Sequence, residues 1–302
     1  MKTCSVIGIV VGVFLLLICI ILYIVLRYIH LPLKKDTFTR MSSKDIEKKS
    51  KETQNKIVVS FSTIPSRVEF IPNVVKEINK QSLKPDVIYA CVPYYSKRLE
   101  KEYELPDFEY MGDNVRIIRC EDFGPATKLL GCVPYEDDPD TIIITIDDDQ
   151  TYHKDVFKTL TGYGEEYPDS VFSFHAFSKE LTPARCPIFK NIKSPKSFYI
   201  EGFGGVLYRR RFISPEMYSY FQHNLSRDCF VSDDLVISTW LEIEGIPRKK
   251  LCDILNVRGT KSEIDKNDAL NKADREGVYS RCHKEMIELE KKLRKNIITK
   301  EK

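Results

Sequence analysis

Six residues, Thr141 to Ile146 (TIIITI), constrain the fold of this chain more than any other stretch. They are β-branched throughout and carry no charge, so the strand they form has to be covered on both faces, as a central strand between two helical layers is. Three consecutive carboxylates, Asp147, Asp148 and Asp149, follow at once. Around this strand the pattern alternates. Ile57–Ser62 (IVVSFS) reads as a strand, and Phe70, Val74, Val75 and Ile78 then recur at helical spacing. Further strands are expected over Asp86–Val92, Asn114–Cys120 and Ser170–His175, with a helix marked by Val156, Phe157, Leu160 and Tyr163 between the last two hydrophobic strands. Strands alternating with helical patterns predict an α/β fold with a mainly parallel, doubly wound sheet. In such sheets ligands bind at the C-terminal ends of the strands, which is where the Asp triplet falls.

With 302 residues, 42% of them hydrophobic, the chain can bury a full core. Ten of its 47 basic residues but only four of its 44 acidic ones lie in residues 1–56, which leaves the rest with a net charge of −3. That balance does not describe a strongly basic nucleic-acid binder, and no nucleic acid is expected as a partner. Ser5–Leu26 is an uncharged apolar run. As a helix it extends about 33 Å, enough to cross a bilayer core, and no small-x-small cleavage site follows. A single-pass membrane anchor over residues 1–30 is therefore expected, with the bilayer as partner. Its orientation stays open: the flanking charges favour a cytosolic domain, whereas one glycosylation sequon, Asn224-Leu225-Ser226, has meaning only on the luminal side. The nine cysteines, odd in number and without CxxC spacing, argue against a zinc site and against a regular disulfide framework. Residues 31–56, Lys-rich and poor in large apolar side chains, read as a stem or linker, the alternative being a solvated helix lying on the domain.

The triplet needs positive charge beside it. Along an extended segment Asp147 and Asp149 project to one side and Asp148 to the other. Two converging carboxylates suit Mg²⁺ or Mn²⁺, hard cations that complete their shell with substrate phosphates. Two enzyme classes place Asp-x-Asp after a buried strand. One is the haloacid-dehalogenase phosphatase, with Asp147 as nucleophile and Asp149 as general acid. The other is the GT-A glycosyltransferase, whose DxD holds a metal against a nucleotide-sugar diphosphate. The phosphatase motif belongs on the first strand of its domain, and here three predicted strands come first.

Four segments in order carry a resemblance: VSFSTIPSR (Val59–Arg67), FGPATKLLG (Phe123–Gly131), the Asp triplet, and EGFGGVLYRR with VSDDLVIS (Glu201–Arg210, Val231–Ser238). From Ile57 to about Leu255 the chain resembles GT-A glycosyltransferases of the kind found in bacteria, protists and large DNA viruses. The resemblance implies a Rossmann-like catalytic domain over residues 57–260 with a basic helical extension over 261–302. It implies that Thr63, Pro65 and Arg67 face the nucleotide and that Asp147–Asp149 hold metal and ribose. It also implies that one of Asp233 and Asp234, at the head of a helix, is the general base that deprotonates the acceptor hydroxyl in an inverting displacement.

The residues support separate readings. Arg67 suits a phosphate in bidentate fashion. GPATKLLG presents backbone N–H groups and Lys128 towards an anion. Gly202, Gly204 and Gly205 allow close approach of a ligand to the main chain, or mark a bulged strand. Ser232 or Asp233 can cap the helix bearing Leu235, Val236, Thr239 and Trp240. His283 falls on an amphipathic, basic helix with Met286, Leu289, Leu293 and Ile297 on one face; nothing in its spacing marks a metal ligand, and the helix suits an anionic membrane surface or packing on the domain. The expected protein is a membrane-anchored, metal-dependent transferase. It moves a sugar from a UDP- or GDP-sugar to a glycan, glycolipid or glycoprotein hydroxyl, with a non-catalytic carbohydrate-binding or scaffold protein as a further alternative.

Overall fold

The computed structural model describes residues 37–38, 40–178, 192–193, 198–251, 258–259 and 277–300. The chain divides into two compact units. The first, Met1–Thr39 with Phe189–Ser194, contributes one feature to the described residues, the antiparallel pairing of Thr37–Phe38 with Ile192–Lys193. The second, Arg40–Ile188 with Pro195–Lys302, holds everything that follows.

Seven strands of the second unit form one sheet: β1 (Ile57–Ser62), β2 (Val87–Pro93), β3 (Val115–Cys120), β4 (Ile142–Thr145), β5 (Val171–Ser178), β6 (Phe198–Arg209) and β7 (Arg248–Lys250), in the order β7-β5-β6-β4-β1-β2-β3. The expected mainly parallel arrangement is modified by one strand. β4, β1, β2 and β3 run parallel, as do β7 and β5, but β6 lies between the two groups antiparallel to both neighbours. Each residue of β4 is at most 1% exposed, the coverage on both faces that its β-branched sequence requires.

The helices are α1 (Ser43–Glu52), α2 (Ile71–Ile78), α3 (Thr127–Leu130), α4 (Val156–Glu166), α5 (Pro215–His223), α6 (Arg227–Phe230), α7 (Asp233–Ile243) and α8 (Val278–Lys300). On one face of the sheet Val58, Ile143, Val206 and Tyr208 share a core cluster with Leu129 and Leu130 of α3, Leu235 and Val236 of α7, and Met286 of α8. On the other face Leu207 points at Gly164 of α4. Alternation along β6 thus sends neighbouring side chains into different layers. Within the 31–56 segment, Ser43–Glu52 form a helix capped by the Ser42 hydroxyl, which accepts from the Asp45 N–H. Its Ile46 is 5% exposed and lies against Gly162 of α4.

One expectation is corrected. Among the described residues no helix is long and apolar enough to cross a membrane. The anchor expected over Ser5–Leu26, and with it the bilayer partner and the membrane localisation, therefore has no counterpart there; residues 5–26 lie outside the described residues. The longest described helix, α8, has the length, but Lys and Glu along KEMIELEKKLRK rule out a span. It packs on the domain through Cys282 and Met286, both fully buried, and a disulfide joins Cys282 to Cys229 of α6. The cysteine spacing does not mark that pairing; Cys91, Cys120 and Cys132 are free.

Candidate active site

β1 and β4 are adjacent and parallel, so the loops leaving them, Thr63–Arg67 and Asp147–Asp149, emerge side by side. β6 pairs Val206 with Thr145 in the opposite sense, so the residues before Val206 run out over the same edge. A register shift between Glu201 and Val206 bulges the strand there. Sheet topology thus brings together three segments that are about 50 residues or more apart in sequence.

Ile64 is extended and Pro65 opens a 3₁₀ turn, Pro65–Phe70, which turns Arg67 back towards the triplet. Arg67 Nη1 donates to Asp148 Oδ1 at 2.7 Å and stands 3.1 Å from Asp149 Oδ2. The Thr63 hydroxyl donates to the other Asp148 oxygen at 2.6 Å. Burial pushes the Asp148 carboxyl up to about 6 against the opposing pull of Arg67 and Thr63. Asp147 faces the other way: its Oδ1 accepts from Lys128 Nζ at 2.8 Å. Lys128 is 7% exposed, on the short helix that follows the Gly124–Ala126 turn, and its ammonium is also 3.6 Å from Asp233 Oδ2. Burial alone would lower the Lys128 pKa, but Asp147, Asp233 and Asp234 together raise it well above the usual lysine value. The positive charge that the triplet demands is therefore supplied from within the chain, by Lys128 and Arg67.

Ser232 makes no side-chain cap to α7, whose first turn carries Asp233 and Asp234. Asp233 is 6% exposed and faces Lys128. Asp234 is half-buried, and its Oδ1 accepts the Gly202 N–H at 3.0 Å. Among the described residues no donor reaches its other oxygen. Burial first, then repulsion from Asp233, raises the Asp234 pKa well above the carboxylate range.

Of the glycine-rich segment, Gly202 lines this cluster. A Cβ there would stand 2.7 Å from Lys128 Nζ and 3.3 Å from Asp234 Oδ1, so a side chain would wedge the ammonium away from its carboxylates. Gly204 and Gly205 point elsewhere, at the His175 ring and at Val156 and Leu160 of α4. Sequence reasoning missed Tyr152, the last residue of the DDDQTY run. Its hydroxyl accepts the Asp147 N–H at 2.9 Å and donates to the Phe203 carbonyl at 3.0 Å, which ties the triplet to the glycine-rich strand. An aromatic three residues beyond the Asp triplet was the available signal. His283 lies away from the cluster, edge-on to the Tyr199 ring at 5.4 Å.

The metal expected on Asp147 and Asp149 is corrected on this geometry. Among the described residues no group of three or more His, Cys, Asp or Glu side chains is placed to hold a metal ion. Asp147 is turned onto Lys128 and Asp149 onto Arg67.

No protein-family model and no curated protein matches this chain. Solved structures do. A 2-C-methyl-D-erythritol 4-phosphate cytidylyltransferase from Francisella tularensis is similar at 12% identity and a TM-score of 0.41, over 76% of this chain and 100% of that one. A mannosyltransferase from Pyrobaculum calidifontis, solved with GDP-Man and Mn²⁺, is similar at 11% identity and 0.42, over 70% of this chain and 59% of that one. TarS of S. aureus, residues 1–349, is similar at 13% and 0.36, over 61% and 55%. Substrate and reaction are read from the site alone.

Proposed function

We propose that this chain is a glycosyltransferase that binds a nucleoside-diphosphate sugar at the sheet edge formed by the loops after β1 and β4, and transfers the sugar to a hydroxyl acceptor. The observation that carries this reading is the placing of Lys128 between Asp147 on one side and Asp233, beside Asp234, on the other. A buried ammonium in that position joins the two halves of a group transfer. Towards the triplet, Lys128 and Arg67 are the cations at hand for a diphosphate. When the bond from the anomeric carbon to the diphosphate oxygen breaks, negative charge grows on that oxygen, and preorganised cations in a water-poor site stabilise it. Towards α7, Asp234 offers a carboxylate oxygen without a donor. It accepts the acceptor's hydroxyl proton as the new bond to the anomeric carbon forms. The Gly202 N–H on Asp234 Oδ1 fixes the carboxylate plane and leaves the second oxygen for that proton. Thr63 and Pro65 shape the donor side: Thr63 is 6% exposed and holds Asp148, and Pro65 sets the turn that delivers Arg67.

The reading is tested by incubating the full chain with a panel of UDP- and GDP-sugars, with Mg²⁺, Mn²⁺ or EDTA, and measuring nucleotide release. One donor is expected to be turned over. Lys128→Met, which keeps the length of the side chain without its charge, is expected to lower kcat/KM by about 10² or more. A folded Lys128→Met protein that turns over its donor at the wild-type rate would show that this cation does not serve the departing diphosphate.

A further inference from the structure

We infer that Asn224 is an N-linked glycosylation site and that this domain matures in an oxidising, glycan-transferring compartment. Two independent features meet within six residues. Asn224-Leu225-Ser226 is the only Asn-x-Ser/Thr sequon in the chain, with Leu rather than Pro in the middle, as transfer to the Asn amide requires. Three residues beyond Ser226, Cys229 is joined to Cys282 across 53 residues of sequence. Such bonds persist where thiols are not kept reduced, and those are the compartments in which sequons are used.

The local structure presents Asn224 for modification. α5 ends at His223, and Asn224 is its C-cap, its N–H donating to the Tyr220 carbonyl. The backbone is thereby satisfied without the side-chain amide, which has no hydrogen-bond partner among the described residues. Leu225 packs inward against the core, whereas Asn224 is exposed. Asn224 stands at the rim of an open groove lined by Tyr220, Trp240, Leu289 and Leu293, so a glycan there displaces no packed element. Ser226 supplies the sequon hydroxyl and also caps α6, its Oγ accepting the Cys229 N–H at 3.2 Å. The modification joins the Asn224 side-chain nitrogen to the anomeric carbon of a lipid-linked diphospho-oligosaccharide, with the lipid diphosphate leaving and one amide proton lost. The inference does not depend on the reaction proposed above.

The full chain is translated with and without microsomal membranes, then treated with peptide N-glycosidase and with protease. A single upward shift is expected, protected from protease and removed by the glycosidase, with Asn224 converted to Asp in the released peptide. Asn224→Gln is expected to abolish the shift. Ser226→Thr, which keeps both the sequon and the capping hydroxyl, is expected to retain it. Transfer precedes folding, so the shift reads the site even if a variant folds poorly. Mass mapping under non-reducing conditions is expected to recover Cys229 and Cys282 in one linked pair. An unshifted chain inside the microsomes overturns the inference, and so does a domain left outside them with Cys229 and Cys282 as free thiols.

Discussion

At the scale of single residues, the cluster is a contest between burial and charge. Five carboxylates, Asp147, Asp148, Asp149, Asp233 and Asp234, face two cations; burial first, and then repulsion between the carboxylates, raises the pKa values of Asp148, Asp233 and Asp234. In the proposed role of general base Asp234 acts ionised. Its pKa is raised, so the ionised fraction grows with pH, and kcat/KM is expected to fall as pH drops through that raised value. The acidic limb should lie above the ordinary carboxylate range of about 4. Asp233→Asn removes the neighbouring charge and is expected to move the limb to lower pH, while Asp234→Asn should remove both the limb and most of the rate; a limb near 4 in the wild type would contradict this role. Tyr152 tests the scaffold beneath. Tyr152→Phe keeps the ring but leaves the Asp147 N–H and the Phe203 carbonyl without their shared hydroxyl. Losing these two half-buried hydrogen bonds is expected to cost about 1–3 kcal/mol, read from chemical denaturation. The carboxylates themselves were legible in the sequence because an Asp run after an uncharged strand has no cheap explanation. Their partners were not, because nothing in local spacing tells which lysine or arginine folds back onto them.

At the scale of elements, the strands were readable where one type of residue repeats, as in Ile57–Ser62 and Thr141–Ile146. The reversed direction of β6 was not, because parallel and antiparallel strands buried on both faces carry the same pattern. The bulge of β6 was foreshadowed by its glycines, but which glycine meets the site depends on register: Gly202 faces Lys128, whereas Gly204 and Gly205 face His175 and α4. The first helix is a similar case. Its sequence, SKDIEKKSKE, is so polar that a linker is a natural reading, yet one isoleucine decides where it lies. Gly162 leaves the space: a Cβ there would stand 2.7 Å from the Ile46 carbonyl oxygen. Ile46→Ala is expected to destabilise the domain by about 2–4 kcal/mol, seen as a lower urea midpoint at unchanged slope. No change in midpoint would show that α1 is only laid on the surface.

At the scale of the whole molecule, the disulfide and α8 close the face that carries α7. Cys229 and Cys282 bridge a long stretch of chain, and a link of that kind typically contributes about 2–4 kcal/mol by restricting the unfolded chain. Cys282→Ser, or reduction of the native protein, is expected to lower the thermal midpoint by a corresponding amount; equal midpoints for oxidised and reduced protein would remove the link from the stability of the fold. By itself the sequence determined the α/β class, the sheet edge to which the acidic triplet belongs, and the need for positive charge beside it. Those follow from hydrophobic period and from the cost of like charges, which are properties of neighbours along the chain. Tertiary structure alone decided that Lys128 and Arg67 meet that need, that β6 runs against its neighbours, that the Gly202 N–H meets Asp234 while Asp233 faces Lys128, and that Cys229 finds Cys282. Each of these joins residues tens of positions apart, and only the packed chain brings such residues into contact.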